Sequence, residues 1–258
     1  MSKGWIDAHT HLNDKSFIKD FDALMKRIES ADIRHINLVG VNIKDAQRAF
    51  SLVDHYPIFN VSIGLHTAEL KEYEPRTIEQ FRKWASDPRV VSVGEIGLDY
   101  HWHTDNIEEQ KRVFIDQIQL ANEVKKPVMI HSRDAMRDTI DILKAHKPLY
   151  GCVMHCFSGS VIEAHECIEL GFMISVGGPV TFKNGTVARE VVNITPLDQL
   201  LIETDAPYLT PHPFRGKRNE SSYIPLIGEQ VANIKGLSIS DLQEVLFTNY
   251  HRTFKSGL

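Results

Sequence analysis

Imidazole and carboxylate side chains recur in this sequence at the points where apolar runs end. Val90-Val91-Ser92-Val93 runs into Glu95, and other apolar runs lead into the rest of a six-residue set: His9, His11, Glu95, His131, His155 and Asp205. Imidazole nitrogens and carboxylate oxygens bind Zn²⁺, Mn²⁺, Fe and, less readily, Mg²⁺. Each residue alone has an ordinary explanation: His-x-His pairs are common on surfaces, and a lone glutamate at a strand end often forms a salt bridge.

The elements that would position these residues alternate along the whole chain. Apolar runs predict strands near residues 5–9, 34–40, 58–64, 89–95, 127–131, 151–155, 172–177 and 199–204. Amphipathic stretches predict helices near 17–31, 44–56, 75–86, 107–124, 134–146, 160–170, 185–194, 221–235 and 238–254. This alternation predicts an α/β fold, the (β/α)₈ TIM barrel, as one domain over residues 1–258. A doubly wound sheet usually has a glycine-rich first turn, which residues 7–11 lack.

The six donors fall at the carboxyl ends of predicted strands, which form the catalytic face of such a barrel. Six protein donors exceed what one catalytic metal with an open position usually needs. They suit two divalent ions about 3.5–4 Å apart that share a hydroxide, with Glu95 as the bridge. Glu203 lies two residues before Asp205 and is expected to orient a ligand histidine.

Composition limits the classes of protein to which the chain can belong. The net charge of −5 means that the surface as a whole does not attract a polyanion, so nucleic-acid binding requires a local basic patch or bound cations. The sequence shows no secretory signal and no apolar stretch long enough to span a bilayer. Three cysteines within residues 152–167 fit a reducing compartment better than a disulfide framework, and we expect a cytoplasmic location.

The motifs at the strand ends resemble, in order, those of TatD-type metal-dependent hydrolases, which are amidohydrolase-like barrels. They are residues 7–11 (DAHTH), 94–99 (GEIGLD), 131–133 (HSR), 155–159 (HCFSG), 203–207 (ETDAP) and 211–220 (PHPFRGKRNE). The resemblance implies a TIM-like barrel, a binuclear divalent-metal site and deoxyribonuclease activity, often 3′→5′ on single strands. Related members have been linked to removing D-amino acids from tRNA. Thr10 and Thr67 depart from residues that are frequent in the family, but neither replaces a ligand.

The resemblance also implies a role for each donor. His9 and His11 become ligands of one metal, His131 and His155 of the other, and Glu95 bridges them. Asp205 binds metal and acts on the attacking water as general base. The ions are expected to be Mg²⁺, Mn²⁺ or Zn²⁺.

Candidate substrate contacts are less specific. His66, at the end of predicted strand three, could orient substrate or cap a loop. Basic residues that could hold phosphates are Arg133, Lys183, Arg215, Lys217 and Arg218, with Asn219 beside them; each basic residue is equally well explained as a solvated surface charge. The aromatic loop at residues 98–103 could stack bases or simply pack.

These observations predict metal-assisted hydrolysis of DNA phosphodiester bonds, with single-stranded DNA as the partner. Another hydrolase is the first alternative, acting on a D-aminoacyl-tRNA ester or a small phosphoester, because a fold does not fix a substrate. A barrel with purely structural metals is the second alternative, but it would not need Asp205 in addition to the other ligands.

Overall fold

The computed structural model describes residues 3–102 and 104–255. Its sheet contains eight parallel strands in chain order: β1 Trp5–Thr10, β2 Ile33–Gly40, β3 Phe59–Ile63, β4 Val90–Asp99, β5 Val128–Arg133, β6 Cys152–Met154, β7 Met173–Val176 and β8 Leu200–Ile202. The helices are α1 Phe21–Ser30, α2 Ile43–Val53, α3 Pro75–Trp84, α4 Ile107–Glu123, α5 Met136–Ala145, α6 Val161–Glu169, α7 Thr186–Ile194, α8 Ile224–Lys235 and α9 Ile239–Phe254. Strands and helices alternate, which confirms the predicted TIM barrel.

The helices bury apolar faces against the outside of the barrel. In α2, for example, Ala46, Ala49 and Val53 are buried at a helical spacing, and Asn42 caps the first turn by accepting a hydrogen bond from the Asp45 backbone N–H. In the described part of the chain, no helix has both the length and the apolar character needed to cross a membrane.

Strand β4 continues four residues beyond the predicted end at Glu95. The extension exists because residues 96–99 pair with residues 130–133 of β5. Gly97 permits this close pairing: its φ is +147°, and a Cβ there would lie 1.9 Å from the backbone oxygen of His131. Strand β8, in contrast, is shorter than the predicted 199–204 and ends at Ile202. Glu203 and Asp205 therefore belong to the segment that follows the strand.

The barrel has a seam between its first and last strands. Ladders join each successive pair from β1 to β8, and within residues 3–102 and 104–255 none joins β8 to β1. Single hydrogen bonds close this gap: the Asp205 N–H donates to the His9 carbonyl (3.0 Å), and the His11 N–H donates to the Ala206 carbonyl (2.8 Å). The seam therefore brings His9, His11 and Asp205 together.

Asp7, two residues before His9 in β1, adds side-chain bonds to the seam. It is fully buried and accepts hydrogen bonds from the Thr204 hydroxyl and the Ser221 hydroxyl, both at 2.6 Å. The pairing of β1 with β2 shifts register between Asp7 and Thr10, so strict alternation of faces does not extend across these residues.

Candidate metal centre

The carboxylate of Glu95 lies at the centre of the barrel mouth and faces histidines on two sides. Its Oε1 is 2.8 Å from His131 Nδ1 and 3.3 Å from His155 Nε2. Its Oε2 is 3.5 Å from His9 Nε2 and 3.6 Å from His11 Nε2. Burial raises the pKa of Glu95, but the surrounding imidazoles, His155 foremost, outweigh burial and hold that pKa well below its usual range. Glu95 is therefore an anion at neutral pH.

Asp205 completes the side of the site that faces the seam. Its Oδ1 lies 3.6 Å from His9 Nε2 and 3.5 Å from His11 Nε2. The two Nε2 atoms are 3.2 Å apart, so three donor atoms converge on one point. Burial and the neighbouring His155 hold the pKa of His9 well below its usual range, which keeps this ring neutral and able to bind a cation.

A hydrogen bond and a close ion pair on the outer sides of the rings position two of the imidazoles. His11 Nδ1 is 3.1 Å from the Val39 carbonyl, which can only accept, so the proton of a neutral His11 is on Nδ1 and its Nε2 lone pair faces the site. His155 Nδ1 lies 2.6 Å from Glu203 Oε1. Burial lowers the pKa of His155, but the carboxylates of Glu203 and Glu95 outweigh burial and raise it. Glu203 therefore lies beside a candidate ligand histidine, Ser175 donates a hydrogen bond to its other oxygen at 2.5 Å, and its orienting role stays a prediction.

Asp99 orients His131, a role that our sequence analysis did not assign to it. Its Oδ2 is 3.2 Å from His131 Nε2, on the side of the ring opposite Glu95. Burial alone lowers the pKa of His131, but the hydrogen bonds to Asp99 and Glu95 raise it to about 9. The sequence does contain a signal for Asp99, since it is four residues after Glu95 and even spacing along a strand keeps side chains on one face.

His66 caps a loop, which is one of its two predicted roles, and a contact with substrate stays a prediction. Its Nδ1 accepts a hydrogen bond from the Ala68 backbone N–H (3.1 Å) and caps the turn that follows β3. A neutral His66 therefore carries its proton on Nε2, which lies 3.7 Å from Glu95 Oε1. Burial lowers the pKa of His66 to about 3, so the ring presents a neutral N–H donor to the site.

The basic residues after β8 have partners away from this centre. Arg218 pairs with Asp20 (2.7 Å), Arg215 lies over the Phe182 ring (3.6 Å) and Lys217 lies over the Phe214 ring (5.4 Å). The Asn219 amide is buried and donates to the carbonyls of Thr204 (2.8 Å) and Tyr208 (2.6 Å). Arg218 and Asn219 thus have structural partners, and contacts of these four residues with substrate stay predictions.

Residues of the candidate metal centre line two cavities. One, of about 650 Å³, is lined by Glu95, Asp99, His11, His66 and Tyr208, among others. The second, of about 770 Å³, extends past Ser132, Phe157 and Ser158. Five residues line both cavities and so mark where they meet: His131, Arg133, His155, Asp205 and Leu209. Volumes of this size suit a small-molecule ligand or a few units of a polymer.

The donor set fits divalent cations. Three close groups have ligand atoms within 4.8 Å of one another: His9 with His11 and Asp205; His66 with Glu95 and His131; and His9 with His155 and Glu203. In the first group two imidazoles and a carboxylate converge, and the contact of His11 Nδ1 with the Val39 carbonyl orients one of the two imidazoles. A parallel barrel with histidine and carboxylate ligands at its carboxyl face defines a metal-dependent hydrolase of the TIM-barrel class.

Comparison with known proteins identifies the family. A family model described as "TatD related DNase" matches residues 6–255, and the chain belongs to this family. It is 40% identical over 250 residues to the uncharacterized metal-dependent hydrolase YabD of Bacillus subtilis, covering 96% of this chain and 98% of that protein. It is 34% identical to the 3′-5′ ssDNA/RNA exonuclease TatD of Escherichia fergusonii, covering 96% of this chain and 98% of that protein.

A solved structure agrees over almost the whole chain. The TatD homologue YJJV of Escherichia coli superposes with a TM-score of 0.92 at 29% identity, covering 98% of each chain. The resemblance inferred from the motifs is thus confirmed, as is the assignment to metal-dependent hydrolases.

Proposed function

We propose that this chain is a two-metal phosphodiesterase that removes nucleotides from single-stranded DNA in the 3′→5′ direction. The observation that carries the proposal is the orientation of Glu95, whose Oε1 faces His131 and His155 while its Oε2 faces His9 and His11. A buried carboxylate with imidazoles on both oxygens is suited to bridging two divalent ions, Mg²⁺, Mn²⁺ or Zn²⁺. The relative named as a 3′-5′ ssDNA/RNA exonuclease supports the substrate class and the direction.

The ligands divide between the two sides of Glu95. His9, His11 and Asp205 would hold one ion, and His131 and His155 the other. When bound, the ions lower the pKa of a water molecule and offset charge on the phosphate. Asp205 takes a proton from the attacking water at its carboxylate. Arg133, which lines both cavities, binds a phosphate, and Glu203 and Asp99 keep their histidine partners in position.

The proposal treats residues 1–258 as one domain, which the match of the family model to residues 6–255 supports. The proposed location is cytoplasmic, on the ground that three cysteines suit a reducing compartment.

The test offers the metal-loaded protein three substrates in parallel: end-labelled single-stranded DNA, end-labelled RNA and D-aminoacyl-tRNA. Each is incubated with Mg²⁺, Mn²⁺ or Zn²⁺. We expect 5′-labelled DNA to give a ladder that shortens from the 3′ end and 3′-labelled DNA to release labelled mononucleotide at once. Hydrolysis of the aminoacyl ester alone would overturn the nuclease assignment, and internal cuts would overturn the exonuclease assignment. Asp205→Asn is the control for a contaminating nuclease.

A further inference from the structure

Two exposed aromatic side chains line the cavity that contains Glu95. Trp102 is 67% exposed and Tyr208 is 60% exposed. A single exposed apolar residue needs no explanation. Two large exposed rings in the same polar cavity do need an explanation, because aromatic side chains in ligand sites usually contact the ligand.

The two rings come from opposite sides of the barrel. Trp102 follows β4 and Tyr208 follows β8, and strands four places apart in an eight-stranded barrel lie across its axis from each other. The metal-binding residues lie between them. A polymer that passes over the metal centre through this cavity would meet both rings.

Hydrogen bonds hold the backbones of both aromatic residues beside the site. The Trp102 backbone N–H donates to Asp99 Oδ1 (2.9 Å), and the other oxygen of Asp99 contacts His131. The Tyr208 carbonyl accepts from the Asn219 amide, and its ring is 6.2 Å from the His11 ring, centroid to centroid. Their positions relative to the metal centre are therefore set. His103, which follows Trp102, lies outside the described residues.

A cation stands beside one of the rings. The Arg133 guanidinium carbon is 5.6 Å from the centroid of the Trp102 ring. Arg133 is exposed, and it forms no ion pair with any carboxylate in the part of the chain that the structure describes. An aromatic face, an unpaired guanidinium and a metal centre together complement a nucleotide, which has a flat base and an anionic phosphate.

We propose that Trp102 and Tyr208 stack unpaired nucleobases on either side of the metal centre, while Arg133 binds the phosphate next to Trp102. This inference rests on the proposed function and adds the basis of its preference for single strands. Bases within a duplex are stacked on each other and paired, so their faces are not available to the two rings. Every base has a flat face, so this recognition tolerates any sequence.

The experiment compares variants of the metal-loaded enzyme on two strands of equal length, an ordinary oligonucleotide and an abasic one with the same phosphates. Stacking contributes about 1–3 kcal/mol per base, which corresponds to a rise in KM of roughly 5- to 150-fold for Trp102→Ala or Tyr208→Ala on the ordinary strand. Trp102→Phe should recover most of the loss. Neither alanine variant should raise KM on the abasic strand. Trp84→Phe is the matched control, since Trp84 packs against Phe50 and Phe81 away from the site.

Binding can be read independently of turnover. In an Asp205→Asn background with metal bound, oligothymidylate should quench tryptophan fluorescence, and Trp102→Phe should remove that quenching while Trp84→Phe keeps it. Unchanged KM in both alanine variants, or an equal rise in KM on the abasic strand, overturns the stacking role. A wild-type enzyme that does not cleave single-stranded DNA overturns the proposed function itself, so the two failures are distinguishable.

Discussion

Glu95→Gln preserves the shape of the side chain at the centre of the barrel mouth and removes its charge. The carboxylate lies 2.8–3.6 Å from the four imidazole nitrogens of His9, His11, His131 and His155, so ions bound by those nitrogens would lie close to it. At about 4 Å and an effective dielectric constant of about 20, one pair of unit charges contributes about 4 kcal/mol. That energy corresponds to about three orders of magnitude in a binding constant. Water that enters the site in the variant offsets part of this lost electrostatic energy. We therefore expect metal affinity to fall roughly 100- to 1000-fold.

Asp205→Asn should behave differently, because the amide oxygen can still coordinate a cation but cannot take a proton at neutral pH. Its Oδ1 lies within 4 Å of the imidazoles of His9 and His11, and its side chain is 13% exposed against 5% for Glu95. Metal content should stay near that of the wild type while turnover falls by orders of magnitude. Glu190→Gln, on the exposed face of α7, is a matched control that removes one carboxylate away from the site.

Two measurements are made on each variant: metal retained after competition with a graded series of chelator concentrations, and turnover of end-labelled single-stranded DNA at saturating metal. Equal loss of metal in Glu95→Gln and Asp205→Asn would refute the division of roles between the two carboxylates. Wild-type metal affinity in Glu95→Gln would refute the bridging role.

Three further substitutions test other parts of the structure. Glu203→Gln weakens the contact between Glu203 and His155. In the same two assays it should lower metal affinity or turnover about 10- to 100-fold. An effect under twofold would contradict the orienting role of Glu203. Gly97→Ala places a Cβ 1.9 Å from the His131 carbonyl oxygen at a φ of +147°. In denaturant titrations it should lower the free energy of unfolding by more than about 2 kcal/mol. An unchanged midpoint of unfolding would contradict the close pairing of β4 with β5. Burial, with a smaller effect of His251 on α9, lowers the pKa of His35 to about 4. Between pH 6.5 and 4 the unfolded chain therefore binds more protons than the folded chain does. The free energy of unfolding consequently falls as the pH falls through this range. His35→Gln should flatten that part of the profile of melting temperature against pH, whereas an identical slope in the variant would contradict the assignment.

The sequence contains most of the information about the fold because the strands of this barrel carry short runs of buried apolar residues that alternate with amphipathic helices. Strand β1 illustrates this, with Trp5, Ile6 and Ala8 buried just before the histidines. Strand ends were harder to place where pairing continues past a charged residue. Strand β4 extends beyond Glu95 because its partner β5 continues alongside it, which a single-strand pattern does not reveal.

The sequence predicts which side chains meet at the barrel mouth and that Glu203 lies beside one of the histidines, but it does not predict the other supporting contacts. Glu95 and the histidines stand out because polar residues follow apolar runs. The partnership of Asp99 with His131 depends on how two strands are aligned, and the seam contact of Asp7 with Ser221 joins residues far apart in sequence. Arg218 is basic in the sequence, but its pairing with Asp20 appears only when the loop after β8 is folded against the turn before α1.

Anomalous scattering from crystals grown with Mn²⁺ tests the central claim most directly. We expect two manganese peaks about 3.5–4 Å apart. Glu95 Oε1 should contact the ion held by His131 and His155, and Oε2 the ion held by His9 and His11. A single peak at full occupancy, or two peaks that Glu95 does not touch, would contradict the two-metal assignment.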